Sequence, residues 1–237
     1  IAVHSPAEFG IATIWDWDLI VFAASHLNDA VEQGFQPSPR ICFAPYDALR
    51  QMKRPTGGVD YRKLAAAIRR LRMTTVITNI RHEDGAGAER PFSWLADYSI
   101  PKRYTQSMIT PNAPDGEPDP AQPWEIELPP WLFNAILRQR EILAVHPDYF
   151  ELTGGIERWL YRLARKAVPD KADHPAISFR METLFTRSGL SGRLRDFRVR
   201  LERVVTHQPL PEYDVVINRD RGHELVSFIR NKAKPPR

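Results

Sequence analysis

Two segments far apart in the chain carry the same apolar stepping. Tyr61, Leu64, Ile68 and Leu71 step by three, four and three residues, and Leu194, Phe197, Leu201 and Val204 repeat those steps. Such steps place side chains on one face of a helix. Each of these helices follows a turn and a shorter helical pattern, and each leads into β-branched sequence. A chain that repeats helix, helix, helix and hairpin has to bury each set in a small core of its own. The expectation is an α+β, mainly helical protein of two units related by internal duplication.

The first unit reads as a helix over 14–33, with Leu19, Phe22, Ala23, Leu27, Ala30 and Val31 at helical spacing. A short helix follows in "FAPYDALRQM", then a helix over 61–72 capped by Asp60. "MTTVITNI" and "PFSWLADYSI" are expected to be the two strands of a hairpin turning through "HEDGAGAE". Residues 110–123, rich in Pro and acid, read as an exposed, mobile loop. "WEIELP" resumes as strand, "PWLFNAILRQ" as helix, "EILAV" as strand and "HPDYFEL" as a connector. The second unit opens with "TGGIERWLYRLARKAV", a helix with Thr153 as cap, and "SFRMETLFTRSG" is a short helix closed by Gly189. "GRLRDFRVRLERVV" is the third helix, and "YDVVINRDRGHELVSFIR" is a hairpin before a basic tail. The boundary falls between residues 145 and 146.

Three helices and a hairpin make a winged helix-turn-helix, in which the third helix enters the DNA major groove and the hairpin is the wing. Opposite the apolar stripe, the first such helix carries Arg62, Lys63, Ala66, Arg69 and Arg70. The second carries Arg195, Asp196, Val199, Glu202 and Arg203, flanked by Arg193, Arg198 and Arg200. Cations neutralise phosphate, arginine reads guanine, and a small residue such as Ala66 permits close approach to base edges. The first helix is expected to be the more purely electrostatic of the two. Arg81, Arg219 and Arg221 extend the cationic surface onto the wings, and Lys232, Lys234 and Arg237 onto the tail. A single basic helix also serves simply to solvate a surface; its recurrence in the same place points to DNA. Trp15, Trp17, Trp94, Trp131 and Trp159 read as core or interface aromatics, with Trp124 undecided.

Composition constrains less. The 237 residues carry 33 Lys+Arg against 29 Asp+Glu, a net +4 too modest to imply a polyanionic partner without its uneven distribution. Cys42 is the only cysteine, so no internal disulfide forms, which fits a reducing compartment. No apolar run approaches the roughly 20 residues of a membrane span. The chain opens on Ile1 rather than Met and without a signal-peptide pattern, and reads as a fragment. It contains no GxxxxGK[ST], no HExxH and no His-hydrophobic-His triplet, so neither a cofactor, a metal nor an enzymatic activity is expected.

"GIATIWDWDLIVFAASHLNDA", "FAPYDALRQM", "TGGVDYRKLAAAIRRLRMTTVITNIR", "FSWLADY", "DYFELTGGIERWLYRLARKA" and "LRDFRVRLERVV" together resemble the replication initiator protein A family of bacterial plasmids. The resemblance runs from about Gly10 to Ile229 and departs most in the acidic loop. "DYFELTGGIERWLYRLARK" is also similar to the start of the second winged-helix domain of iteron-binding plasmid initiators. The resemblance implies two winged-helix domains binding repeats (iterons) in double-stranded origin DNA, plasmid copy control and recruitment of the host initiator and helicase. It also implies repression of the protein's own promoter, a homodimer in solution whose monomers bind the repeats, and a bacterial cytoplasmic, plasmid-associated location. By the family's motif, the recognition positions fall on Arg62, Lys63, Arg69 and Arg70, and on Arg195, Arg198 and Arg203. The main rival is a winged-helix transcriptional repressor with no initiation role. A rolling-circle nicking enzyme and a module that dimerises through the first helix are the others.

Overall fold

The structure, a computed structural model, describes residues 2–78, 90–101, 104, 123–139, 145–168, 176–220 and 222–231. The chain mixes helix and sheet, with seven α-helices among the described residues, and divides into two compact units, Ile1–Ile142 and Leu143–Arg237. The turn expected over 82–89, residues 110–122 of the acidic loop, 141–144 of the expected strand and the tail 232–237 lie outside the described residues.

The first unit runs β1 (Ala2–His4), α1 (Trp17–Glu32), β2 (Arg40–Phe43), α2 (Pro45–Gln51), α3 (Gly58–Met73), β3 (Thr75–Thr78), β4 (Arg90–Ser93), β5 (Asp97–Ser99), β6 (Trp124–Glu127) and α4 (Pro130–Gln139). The unbroken apolar run of α1 from Leu19 to Ala24 is buried on every side, because α2, α3 and α4 all pack against it. Helix α3 starts earlier than its apolar stepping indicates. Gly57 is its N-cap, and Asp60 lies inside the first turn, where it pairs with Lys63 at 3.2 Å instead of capping.

The expected single strand "PFSWLADYSI" is two strands in different sheets. β4 pairs with β3 in a sheet ordered β1–β3–β4, whereas β5 joins a sheet ordered β2–β6–β5. The switch lies in the backbone between them. The Trp94 N–H donates to the Leu71 carbonyl of α3 (3.2 Å), and the Ala96 N–H donates to Glu127 (2.8 Å), which starts the new ladder. Strand β2 was not expected; it alternates Ile41 and Phe43 inward with Arg40 and Cys42 outward. The cores are aromatic. Trp124 is fully buried beside Tyr104 (5.0 Å between ring centroids) and Tyr61 (6.4 Å), while Trp94 contacts Trp17 (4.4 Å) and Trp131 (5.8 Å).

The second unit opens with a 3-10 turn, Pro147–Glu151, and continues as α5 (Gly155–Ala167), β7 (Ala176–Arg180), α6 (Met181–Ser188), α7 (Leu194–His207), β8 (Tyr213–Asp220) and β9 (His223–Arg230). The cap of α5 is Gly154, not Thr153: the Glu157 carboxylate reaches back to accept the Gly154 N–H at 3.0 Å. Ser178, Phe179 and Arg180 were expected in a helix and instead end β7. Their burial alternates with period two, and β9 pairs with them from Ala176↔Ile229 to Arg180↔Leu225. Gly189 closes α6 in the left-handed region, at φ 65°.

The sheet of this unit is ordered β7–β9–β8. That is the order of β2–β6–β5 in the first unit: the strand before the two short-spaced helices lies at one edge, and the last strand takes the middle. The β3–β4 hairpin, expected to be the wing of the first unit, lies in a separate sheet, where β3 pairs with β1.

Candidate nucleic-acid interface

Helix α7 turns Phe197, Leu201 and Val204 inward, each no more than 2% exposed. Its opposite face leaves Arg195, Asp196, Val199, Glu202 and Arg203 exposed, and Arg193 and Arg200 are exposed beside them. Among the described residues, no carboxylate forms an ion pair with Arg193, Arg195, Arg200 or Arg203. Four guanidinium groups thus face solvent from α7 and its N-cap, Arg193, at positions a polyanion can reach.

Arg198 differs. Its Nε lies 3.1 Å from Glu202 Oε1 and its Nη2 3.0 Å from Glu224 Oε1. The same Glu224 oxygen is 3.5 Å from Arg219 Nη2, on the facing strand. One carboxylate of β9 therefore ties α7 to the hairpin and occupies two cations singled out from sequence. Glu224 escaped the sequence reading because only the β8–β9 register brings it beside α7. Gln208 is a second such residue. It ends α7 at φ 45°, its side-chain amide donates to the Val205 and Val215 carbonyls (2.8 and 2.7 Å), and its carbonyl accepts the Val215 N–H (2.8 Å). These bonds set where β8 leaves the helix.

Helix α3 corrects the expectation of a free cationic face. Ala66 is 9% exposed and Arg69 only 7%. Arg70 is turned inward onto Asp16, with Nη2 at 2.6 Å and Nε at 2.8 Å from its two carboxylate oxygens, and this hydrogen bonding raises the guanidinium pKa further. Ala65, Ala66 and Ala67 have no bulk to hold neighbours away, and β4, β5 and the start of α1 close over the helix. What remains outside is its first turn: exposed Val59 and Lys63, with Arg62 half-buried. The first helix is therefore not the more electrostatic of the two. The outer face of β2–β6–β5 is acidic, since Arg40 is shared between Glu125 (3.3 Å) and Glu127 (2.9 Å) while Asp97 lies in register with Glu127. Arg219 is exposed, and Arg81 and Arg221 lie outside the described residues.

Other polar groups hold the second unit together. The buried Tyr161 hydroxyl accepts the His146 N–H (2.8 Å) and donates to Glu212 (3.3 Å), and its burial raises the phenol pKa. Arg158, 3% exposed, donates to the Leu152 and Phe150 carbonyls (2.8 and 3.1 Å). Among the described residues, no cluster of His, Cys, Asp and Glu is arranged to hold a metal, and no helix is long and apolar enough to cross a membrane.

The family model described as replication initiator protein A matches residues 1–215. A protein of Wigglesworthia glossinidia brevipalpis, whose name assigns it provisionally to replication, is 29% identical over 218 residues, 90% of this chain and 72% of that protein. Among solved structures, RctB domains 2–3 match with a TM-score of 0.60 at 13% identity, over 96% of this chain and 85% of that one. A selenomethionine derivative of the same two domains gives 0.64 at 14% identity, over 95% and 85%. At such identities the likeness is one of fold.

Proposed function

Because the chain belongs to the replication initiator protein A family, we propose that it starts plasmid replication by binding repeated double-stranded sequences at an origin, with α7 as its principal reading element. The observation that carries this is the row of exposed, unpaired arginines on α7. In this reading each unit is a winged helix-turn-helix. α6 and α7, with β8–β9 as wing, form one module; α2 and α3, with β5–β6, form the other, into which β3–β4 is inserted. The shared strand order supports a duplication. The first module then touches DNA through the start of α3, since an acidic sheet face is repelled by phosphate.

The protein performs no chemistry on DNA in this reading and needs no metal. It marks the origin for the host initiator and helicase, and binding near its own promoter represses its synthesis. A dimer in solution gives way to monomers on the repeats. A repressor with no part in initiation is the alternative. It predicts the same footprint without dependence of plasmid copy number on α7.

The test is a salt titration of the full chain on plasmid origin duplex, with Arg195→Ala and Arg203→Ala beside it. The logarithm of affinity should fall steeply with that of salt, by about 0.9 per phosphate neutralised. Each variant should lose about 1–3 kcal/mol of discrimination at one base pair. Intact binding with a flat salt response would sink the proposal.

A further inference from the structure

The centre of the α7 face is not charged. Val199 is 44% exposed, with Arg195 four residues before it and Arg203 four residues after. Four residues advance a helix by about 6 Å and offset a side chain by only about 40°, so the three form one row about 12 Å long. Duplex DNA rises about 3.4 Å per base pair, so the row spans three to four steps, roughly. A β-branched residue is slightly disfavoured at an exposed helix position, where it loses rotamer freedom. The acids near it do not turn the surface toward a basic partner: Glu202 is held by Arg198 at 3.1 Å, the arginines at either end are unpaired, and Asp196 is the one exposed acid of this face with no ion pair among the described residues.

We infer that Val199 reads the C5-methyl group of a thymine in the major groove, between base pairs contacted by Arg195 and Arg203. This rests on the DNA-binding reading above and makes Val199 a specificity residue within it. The chemistry follows from the groove. Only thymine offers a methyl group there, and valine offers two methyls and no donor, so it rewards thymine and gains nothing from the bare C5 edge of cytosine. The flanking guanidinium groups set the register by which the methyl arrives opposite Val199. The same contact accepts 5-methylcytosine better than cytosine.

The experiment selects a duplex from a random pool with the full chain, then replaces each thymine singly with deoxyuridine, which removes only the methyl. One position should weaken binding about four-fold, the value of one buried methyl group. Val199→Ala, which favours the helix and leaves the core untouched, should weaken the parent duplex by a similar factor and become indifferent to deoxyuridine at that position alone. If the wild-type chain selects a duplex but no thymine shows this loss of sensitivity in the variant, the assignment to Val199 fails while the DNA-binding reading stands. If no duplex is selected at all, both fail.

Discussion

At the scale of single residues, the same side-chain type serves opposite ends. Arg195 is exposed and unpaired, whereas Arg70 is held by both oxygens of Asp16, whose side chain is 3% exposed. Removing a partner from a buried carboxylate strands its charge, so Arg70→Ala should cost about 3 kcal/mol in urea unfolding. It should leave the salt dependence of DNA binding unchanged. Tyr161 makes a second prediction, through pH. Burial raises its phenol pKa, so the folded state holds the proton more tightly than the unfolded chain does. Stability from this source is intact below about pH 10, the unfolded value, and is lost progressively as pH rises from there through the raised folded value. Tyr161→Phe leaves the His146 N–H without its acceptor and should cost about 1 kcal/mol at neutral pH. That deficit should shrink above about pH 10, because the variant has no phenol there to ionise. A deficit constant with pH would separate Tyr161 from the alkaline loss.

Among elements, the contact of α7 with β9 decides what the helix can offer. Glu224 links Arg198 to Arg219, which joins the hairpin to the helix and offsets positive charge on that face, chiefly at Arg198. Glu224→Gln should therefore tighten non-specific DNA binding and steepen the salt slope by about 1. The ratio of specific to non-specific affinity should fall. Unchanged non-specific binding would mean that the released cations do not reach the backbone. The elements were unevenly legible from sequence. Helix α7 was placed to within two residues and α1 and α3 to within three, because 3.6-residue periodicity reports a one-sided burial. The strands β1, β2 and β7 escaped, whereas β3, β4 and β6, of similar length, fall in segments expected as strand. β2 and β7 hold four and five residues, too few for alternation to stand out, and β7 runs directly into α6 without a breaking residue.

For the whole molecule, two units of matching strand order raise the question of whether both engage DNA. If they do, footprinting should protect about 20 base pairs, two helical turns, with Lys63→Ala weakening one end and Arg195→Ala the other. A footprint near one turn that responds only to α7 variants would leave the first unit a role other than DNA binding. The contrast between the units favours an unequal share: the exposed part of α3 is a single turn, whereas α7 is open along its length.

The amino-acid sequence by itself determined the repeated helical stripes, the helix order and the family, since periodicity and long matching strings are properties of neighbours along the chain. The tertiary structure alone decided which cations are free. Ala66, Arg69 and Arg70 sit opposite an apolar stripe and so look solvent-facing on an isolated helix. β4, β5 and α1 come from elsewhere in the chain to pack on α3, Ala66 and Arg69 are buried, and Arg70 is turned onto Asp16. Arg198 and Glu224 likewise meet only through a hairpin register. Helical periodicity says which face is apolar; whether the other face meets water depends on what packs against it, and that is set by contacts distant in sequence.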